Sequence, residues 1–287
     1  MALAASLAVA LSLAALGAAM LTDGCAARKD KSEKTRTPET VASASSQQTD
    51  APQRKRAATI DDALQGARSS LKSLEKIKDY TCTFVKRERV GGELLEQERL
   101  KMKVRHQPFS VYFRFVEPPS LAGQEAIYVE GQNDGKLIGH PNGIKNQIIG
   151  AVSLDPTGYL AMRNNRYPIT NAGMKNLVSL LVELGDQPDL LKDCRVEFID
   201  GQRVDGRPCR CIEIRNPRRQ ENLTLAQASI WVDKEWNVPV RFEAWEWPKK
   251  AGKKPLLVEQ YEYLDLKFDQ GLTARDFDPE NPSYDYP

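Results

Sequence analysis

Few residues in this chain could do chemistry, and their spacing narrows what that chemistry would be. There are two histidines and five cysteines. Cys82 with His106 or His140 would make a thiol nucleophile and its base. Cys82, however, stands inside an alternating run, with Tyr80, Cys82 and Phe84 set against Thr81, Thr83 and Val85. Activated thiols sit instead at helix N-termini or in electropositive clefts. His140 is followed at once by Pro141, and His106 is followed by Gln107-Pro108. Both are therefore expected at strand ends as surface or turn residues. The cysteines offer lone spacings and one Cys-x-Cys, not the paired Cys-x-x-Cys of a structural zinc site, so no metal is expected. The stretch Gly131-Gln132-Asn133-Asp134-Gly135-Lys136-Leu137 is one residue short of a phosphate loop. It also puts Leu137 where magnesium would need a hydroxyl, and it reads as a hairpin turn. Neither a catalytic residue nor a cofactor is predicted, and a hydrolase is the most remote reading. In an exported domain the cysteines can also cross-link. The expected bridge joins Cys194 to Cys209 or Cys211, with Cys82 a buried free thiol.

The elements that would carry these residues follow from period. Thr59 with Asp62 forms a capping box, and Leu64, Ala67, Leu71, Leu74 and Ile77 recur at helical spacing, so a helix is expected over about 60–78. The period then changes to two. Gly91-Gly92 is a two-residue hairpin signal, and a loop of those two residues would set Arg87 opposite Glu96. Leu100, Met102 and Val104 alternate with Lys101, Lys103 and Arg105, and Phe109, Val111, Phe113 and Phe115 form the next apolar row. Further strands are expected at 124–131, 136–140, 146–154, 194–204, 207–216, 226–234, 238–247 and 256–268. A second helix spans 171–185, with Met174, Leu177, Val178, Leu181 and Leu184 on one face.

About eleven strands joined by short turns, with two helices, make an α+β fold. A curved antiparallel sheet, a half-barrel, would have one wet face and two helices covering the other. The alternating rows supply the candidate cavity residues Leu100, Met102, Val104, Phe109, Val111, Phe113, Phe115, Ile230, Val232, Val240 and Phe242. The late aromatics, Trp231, Trp236, Trp245, Trp247, Tyr261 and Tyr263, read first as core and cross-strand packing. Residues 155–170 form a long connection without period, and such connections often serve as lids or binding loops. Arg163, Asn164, Asn165, Arg166 and Tyr167 are its candidates for meeting a protein partner. Its two arginines would otherwise pair with neighbouring acids.

The N-terminus reads as an address. Residues 2–21 carry no charge and form an Ala/Leu run of signal-peptide type, and Leu21-Thr22-Asp23-Gly24-Cys25 resembles a lipobox with Cys25 as the lipidated residue. Lipoprotein processing, ordinary signal cleavage and an uncleaved anchor all place 58–287 outside the cytoplasm, in the periplasm or cell envelope. Residues 26–57 are polar and charged, and they read as a disordered tether. Arg54-Lys55-Arg56 within it reads as solvated linker. Eight of the 41 Lys and Arg residues lie in that tether, and of the 39 Asp and Glu residues four lie there, with Asp23 just before it. That leaves 33 basic and 34 acidic residues in 58–287, a balance with no electrostatic reason to seek nucleic acid.

Several stretches carry a resemblance. They are Tyr80–Arg89, Pro108–Tyr112, Gly123–Gly131, Leu154-Asp155-Pro156 with Arg166–Thr170, and the closing Gly271-Leu272-Thr273, Asp276-Phe277-Asp278 and Asn281–Tyr284. The chain resembles, over roughly 60–287, the uncharacterised bacterial domain-of-unknown-function family fifteen-seventy-one. The resemblance implies a fold similar to the Lol-system lipoprotein carriers, of LolA and LolB type, in which a half-barrel around helices forms an apolar cavity for acyl chains. The expectation is an exported, tethered, non-enzymatic domain that binds a lipid or a lipoprotein acyl chain. The second reading is an envelope interaction or sensor domain with a filled core.

Overall fold

The computed structural model describes residues 53–142, 150–250 and 252–286. The signal segment, Cys25 and the tether up to residue 52 lie outside the described residues, as does 146–149, the start of one expected strand.

Thr59 starts the first helix, α1 (Ile60–Leu74), as its sequence predicts. Its hydroxyl accepts the Asp62 N–H at 3.1 Å, and the Asp62 carboxylate accepts the Thr59 N–H at 2.9 Å. Two of the orphan donors of the first turn are thereby satisfied. Among the described residues, thirteen strands then form one antiparallel sheet. They are β1 (Arg54–Ala58), β2 (Asp79–Val90), β3 (Glu93–Leu94), β4 (Glu98–His106), β5 (Phe109–Glu117), β6 (Glu125–Val129), β7 (Leu137–His140), β8 (Val152–Leu154), β9 (Arg195–Val204), β10 (Arg207–Arg215), β11 (Leu225–Asp233), β12 (Pro239–Glu246) and β13 (Leu256–Phe268). The order across the sheet is β1-β9-β10-β11-β12-β13-β2-β4-β5-β6-β7-β8, with β3 paired to β2. It is a curved, open sheet whose two free edges are β1 and β8.

Two strands exceed the expectation. Gly91-Gly92 does form the two-residue loop, with Val90 opposite Glu93. β3 lasts only two residues, though, and Arg87 donates to the Leu95 carbonyl at 3.3 Å in place of the expected meeting with Glu96. The other extra strand is β1, built from four residues assigned to the tether and Ala58. It pairs with β9 from Arg54 opposite Asp200 to Ala58 opposite Val196. Arg54, Lys55 and Arg56 show no apolar alternation because they sit on an edge, where charge guards against further pairing and the backbone supplies the register. Arg56 also lies 5.0 Å over the Phe198 ring.

The concave face carries the helices. α1 packs against α3 (Met174–Gly185), and two single-turn helices, α2 (Tyr159–Met162) and α4 (Pro188–Leu191), flank α3 in sequence. The core gathers Tyr80, Cys82 and Phe84 of β2, Leu100, Met102 and Val104 of β4, and Val240 and Phe242 of β12 with Met174 and Val178 of α3. Gly173 sets the angle at which α3 enters. Its φ of 97° and ψ of 159° lie in a region open essentially to glycine alone. A Cβ there would stand 2.8 Å from Tyr80 Oη, the fully buried hydroxyl that accepts the Met174 N–H at 3.1 Å.

Gly173→Ala is therefore expected to destabilise the chain by about 2 kcal/mol through backbone strain. For a domain of this size that lowers Tm by about 5 °C. An unchanged Tm in a thermal melt would refute the strain.

Candidate functional site

The sheet curves around more volume than two helices fill. Between the concave face and α1, α3 and the 155–170 segment lies a cavity of about 680 Å³. Six of the eleven sequence-predicted cavity residues line it: Leu100, Phe113, Phe115, Ile230, Val232 and Phe242. Val104 and Phe109 line a smaller pocket of about 250 Å³ beyond the start of α3. Met102, Val111 and Val240 line neither and are packed into the core at 1%, 0% and 3% exposure. The helices contribute Ala63, Leu64 and Ala67 from α1 and Leu177, Leu181 and Leu184 from α3. Tyr261 and Tyr263 also reach the wall, in an aromatic group around Phe84 with ring centroids 5.0–6.3 Å apart. The tryptophans do not. Trp236, for one, packs edge-on against Phe268 at 4.9 Å and under the Arg207 guanidinium. Beside the cavity, α2 leaves Tyr159 78% and Leu160 66% exposed, and Leu160 is itself part of the lining.

One wall is charged. Lys86, Glu88 and Glu98, on neighbouring strands β2 and β4, are all buried, with Lys86 Nζ 3.6 Å from Glu88 Oε2 and 3.1 Å from Glu98 Oε2. Buried ions cost several kcal/mol each unless paired and hydrogen-bonded. The pairing comes from far along the chain. Asn165 Oδ1 accepts from Lys86 Nζ. The Arg166 N–H donates to Glu88 Oε2 at 3.1 Å, and Arg166 Nη1 donates to the Arg89 carbonyl at 2.9 Å. Glu259 stands directly across the ladder from Glu88, an unfavourable like-charge pair by itself. Two tyrosines and an arginine relieve it. Tyr261 Oη is 2.6 Å from Glu88 Oε1 and 3.0 Å from Glu259 Oε2, Tyr167 Oη donates to Glu259 Oε1 at 3.3 Å, and Arg166 Nε is 3.8 Å from Glu259.

The titration behaviour follows from this packing. Burial holds the Glu98 and Glu259 carboxyls above the ordinary carboxylate range, against the pull of Lys86 on one and Arg166 on the other. For the Lys86 ammonium burial pushes down, but Glu88 and Glu98 outweigh it and the net displacement is upward. Three carboxyls share this wall with two cations.

The 155–170 segment thus divides. Arg163 and Asn164 face solvent, whereas Asn165, Arg166 and Tyr167 turn inward and form the wall. Arg166 does pair with acids, as the local reading anticipated. Residues that the sequence did not single out for a site are Lys86, Glu88, Glu98 and Glu259, while Tyr261 stands among the late aromatics that read first as core. For the four charged ones the local sequence offers no signal beyond charge within a strand, since Glu88 and Glu98 stand among other polar residues.

Two expectations are corrected. His140 is not a surface turn residue. It is 4% exposed, its Nδ1 lies 2.8 Å from the Pro141 carbonyl, and its ring meets Tyr286 edge-on at 4.4 Å. Tyr286, from the other end of the described chain, covers the ring, and a strand-end reading has no local signal for that contact. His106 is half-buried, its Nδ1 2.7 Å from the Ile77 carbonyl, and burial draws its pKa down. The described cysteines form no bridge: Cys82, Cys194, Cys209 and Cys211 are free. Cys211 pairs with Ile199 and Arg215 with Arg195, so Cys194 lies five residues beyond the Cys211 rung. That is roughly 17 Å along the strand, far outside disulfide reach. Cys209 is farther still. Among the described residues no group of three His, Cys, Asp or Glu could hold a metal ion.

Residues 77–286 match the family described as "Protein of unknown function (DUF1571)". The comparison with curated proteins finds no match. Among solved structures, the chain is similar to an uncharacterized conserved protein from Thermus thermophilus, at 13% identity and TM-score 0.42 over 75% of this chain and 92% of that one. It is similar to the lipoprotein LppX of Mycobacterium tuberculosis at 12% identity and TM-score 0.35, over 75% of this chain and 99% of that one. A LolA superfamily protein from Nitrosomonas europaea shows 13% identity and TM-score 0.31, over 74% of this chain and 97% of that one. Among the described residues no helix is long and apolar enough to cross a membrane.

Burial raises the thiol pKa of Cys209 to about 11 and of Cys211 to about 12, and Cys82 is 5% exposed. Of the four described cysteines, only Cys194 should react with an aromatic disulfide reagent in the folded chain at pH 8, and all four after unfolding. Rapid labelling of a second one, located by peptide mass mapping, would contradict this packing. A second expectation concerns Glu98. Its folded pKa is raised, so it binds a proton more readily folded than unfolded. Its contribution to stability is then lost as pH rises from the unfolded carboxyl value near 4.3 through the folded value. Glu98→Gln removes that loss, so the variant should gain stability relative to the parent between pH 4.5 and pH 7.5. Urea unfolding at both pH values measures it, and a change in the opposite direction would show Glu98 held as a stabilised anion.

Proposed function

We propose that this chain, which belongs to the DUF1571 family, is a non-catalytic binding domain whose ligand is a lipid or the acyl chain of a lipoprotein, held in the cavity under α1 and α3. The observation that carries the reading is the cavity itself. A volume of about 680 Å³ lined by leucines, phenylalanines and alanines falls in the usual range for small-molecule sites. Each methylene moved from water into such a lining contributes about 0.8 kcal/mol, so an acyl chain can be held without covalent chemistry.

The thiols support the absence of catalysis, since the three buried ones are held protonated by burial and each histidine turns its Nδ1 to a backbone carbonyl. The N-terminal sequence supports export and tethering through Cys25 or an uncleaved anchor. The exposed pair Tyr159 and Leu160, beside the lining, offers an apolar entrance. The alternative of an interaction or sensor domain with a filled core would need this volume packed by side chains. Its candidate surface is now confined to Arg163 and Asn164, the outward residues of the segment.

Native mass spectrometry of the chain from its own envelope should show an adduct of lipid mass that organic extraction removes. Ala67 lines the cavity from α1, and Ala67→Trp should fill part of it. Affinity for a fluorescent acyl probe is then expected to fall about tenfold or more, with little change in Tm. If the parent chain carries no lipid and binds no acyl probe even when lipid is added back, the proposal is wrong.

A further inference from the structure

Where β6 and β7 meet the cavity, two buried acceptors face one another. Glu125 and His140 are direct partners in the ladder, both line the cavity, and their side chains are 0% and 1% exposed. His140 Nδ1 lies 2.8 Å from the Pro141 carbonyl. A carbonyl can only accept, so Nδ1 carries the proton, and in the neutral ring Nε2 is left as a lone pair. That lone pair faces Glu125 Oε2 across 3.6 Å. Neither atom has a hydrogen-bond partner among the described residues. The other carboxyl oxygen is already used, accepting from Arg114 Nη1 at 2.9 Å and from the Asp285 N–H at 3.4 Å.

Buried acceptors without a donor are costly, and native structures rarely leave them so. Burial raises the Glu125 pKa, against the opposing pull of the Asp285 N–H, Arg114 and His140. Even a proton on Glu125 would have to span 3.6 Å to serve Nε2, beyond a hydrogen bond. What the two atoms lack is a group that brings its own N–H or O–H.

We propose that Glu125 and His140 seat the polar head of the cavity's ligand, and that this head carries hydrogen-bond donors and no negative charge, as glycerol hydroxyls or an ammonium do. The inference rests on the acyl-binding reading above. The rest of the wall agrees with it. Glu88, Glu125 and Glu259 all line the cavity, while the two lining cations are engaged, Lys86 by Glu88, Glu98 and Asn165, and Arg166 by the Arg89 carbonyl with Glu259 at 3.8 Å. A phosphate or carboxylate head would lose its water among carboxylates that already outnumber the cations.

The experiment uses the full chain, a pyrene-tagged alkane with no polar head as probe, and three competitors: 1-monopalmitoylglycerol, hexadecylamine and palmitate. At pH 7.5 the first two are expected to displace the probe at concentrations about tenfold or more below that of palmitate. Glu125→Gln removes the carboxylate charge and turns an N–H toward the seat, and His140→Phe removes the lone pair. Each should bring the three competitors within about threefold of one another, while probe binding reports that the variant is folded and its cavity intact. Equal displacement by all three in the parent chain, or a preference that survives both substitutions, would overturn the head seat and leave acyl binding standing. No probe binding in the parent chain would overturn both.

Discussion

The rest of this structure depends on the ion cluster around Lys86. Three carboxylates and two cations sit against an apolar interior, and each must be paired or pay a desolvation cost of several kcal/mol. Strands β2 and β4 bring Lys86, Glu88 and Glu98 together, and β13 brings Glu259 and Tyr261. The pairing is completed only when Asn165, Arg166 and Tyr167 come down from the 155–170 segment. That requirement pins a segment without regular period over the mouth of the sheet, and it lets α1 and α3 cross the concave face without filling it. A charged wall cannot be covered by leucines, so the volume next to it stays open.

Curvature does the remaining work. An open antiparallel sheet buries one face, and its inner rows need a cover. The cover is thin: α1 and α3 are 15 and 12 residues long, against a sheet of thirteen strands. Close contact is reached where Gly173 lets α3 enter against Tyr80 and where Met102 and Val111 are packed into the core. At Phe113, Phe115 and Ile230 the same kind of apolar row becomes lining. One pattern of side chains thus serves as core in one place and as a ligand surface in another.

Polarity is graded along the cavity in the same way. The α1 and α3 side is aliphatic, the floor is aromatic around Phe84, and the β2–β13 and β6–β7 walls hold the carboxyls. An amphiphile is the ligand shape that such a gradient matches, because its two ends differ in the way the walls do.

What the sequence determined by itself was local. The capping box at Thr59, the period-two rows of β4 and β5, the Gly91-Gly92 turn and the apolar face of α3 all stand where the chain predicts them, because each arises from residues within a few positions of one another. About half of the residues named from the apolar rows therefore do line the cavity. The tertiary structure decided which part of each row is lining and which is core, since that depends on where a helix lies and not on the strand's own pattern. It decided that Arg54–Ala58 is an edge strand, because only β9 supplies its partner. It decided the thiols too, since the β9–β10 register separates Cys194 from both expected partners. Above all it decided the charged wall. Tyr261 meets Glu88 across 173 positions and Arg166 meets it across 78, and electrostatic pairing at such separations leaves no period in the chain. Burial turns those charges from ordinary strand residues into a site, and burial is a property of the assembled sheet.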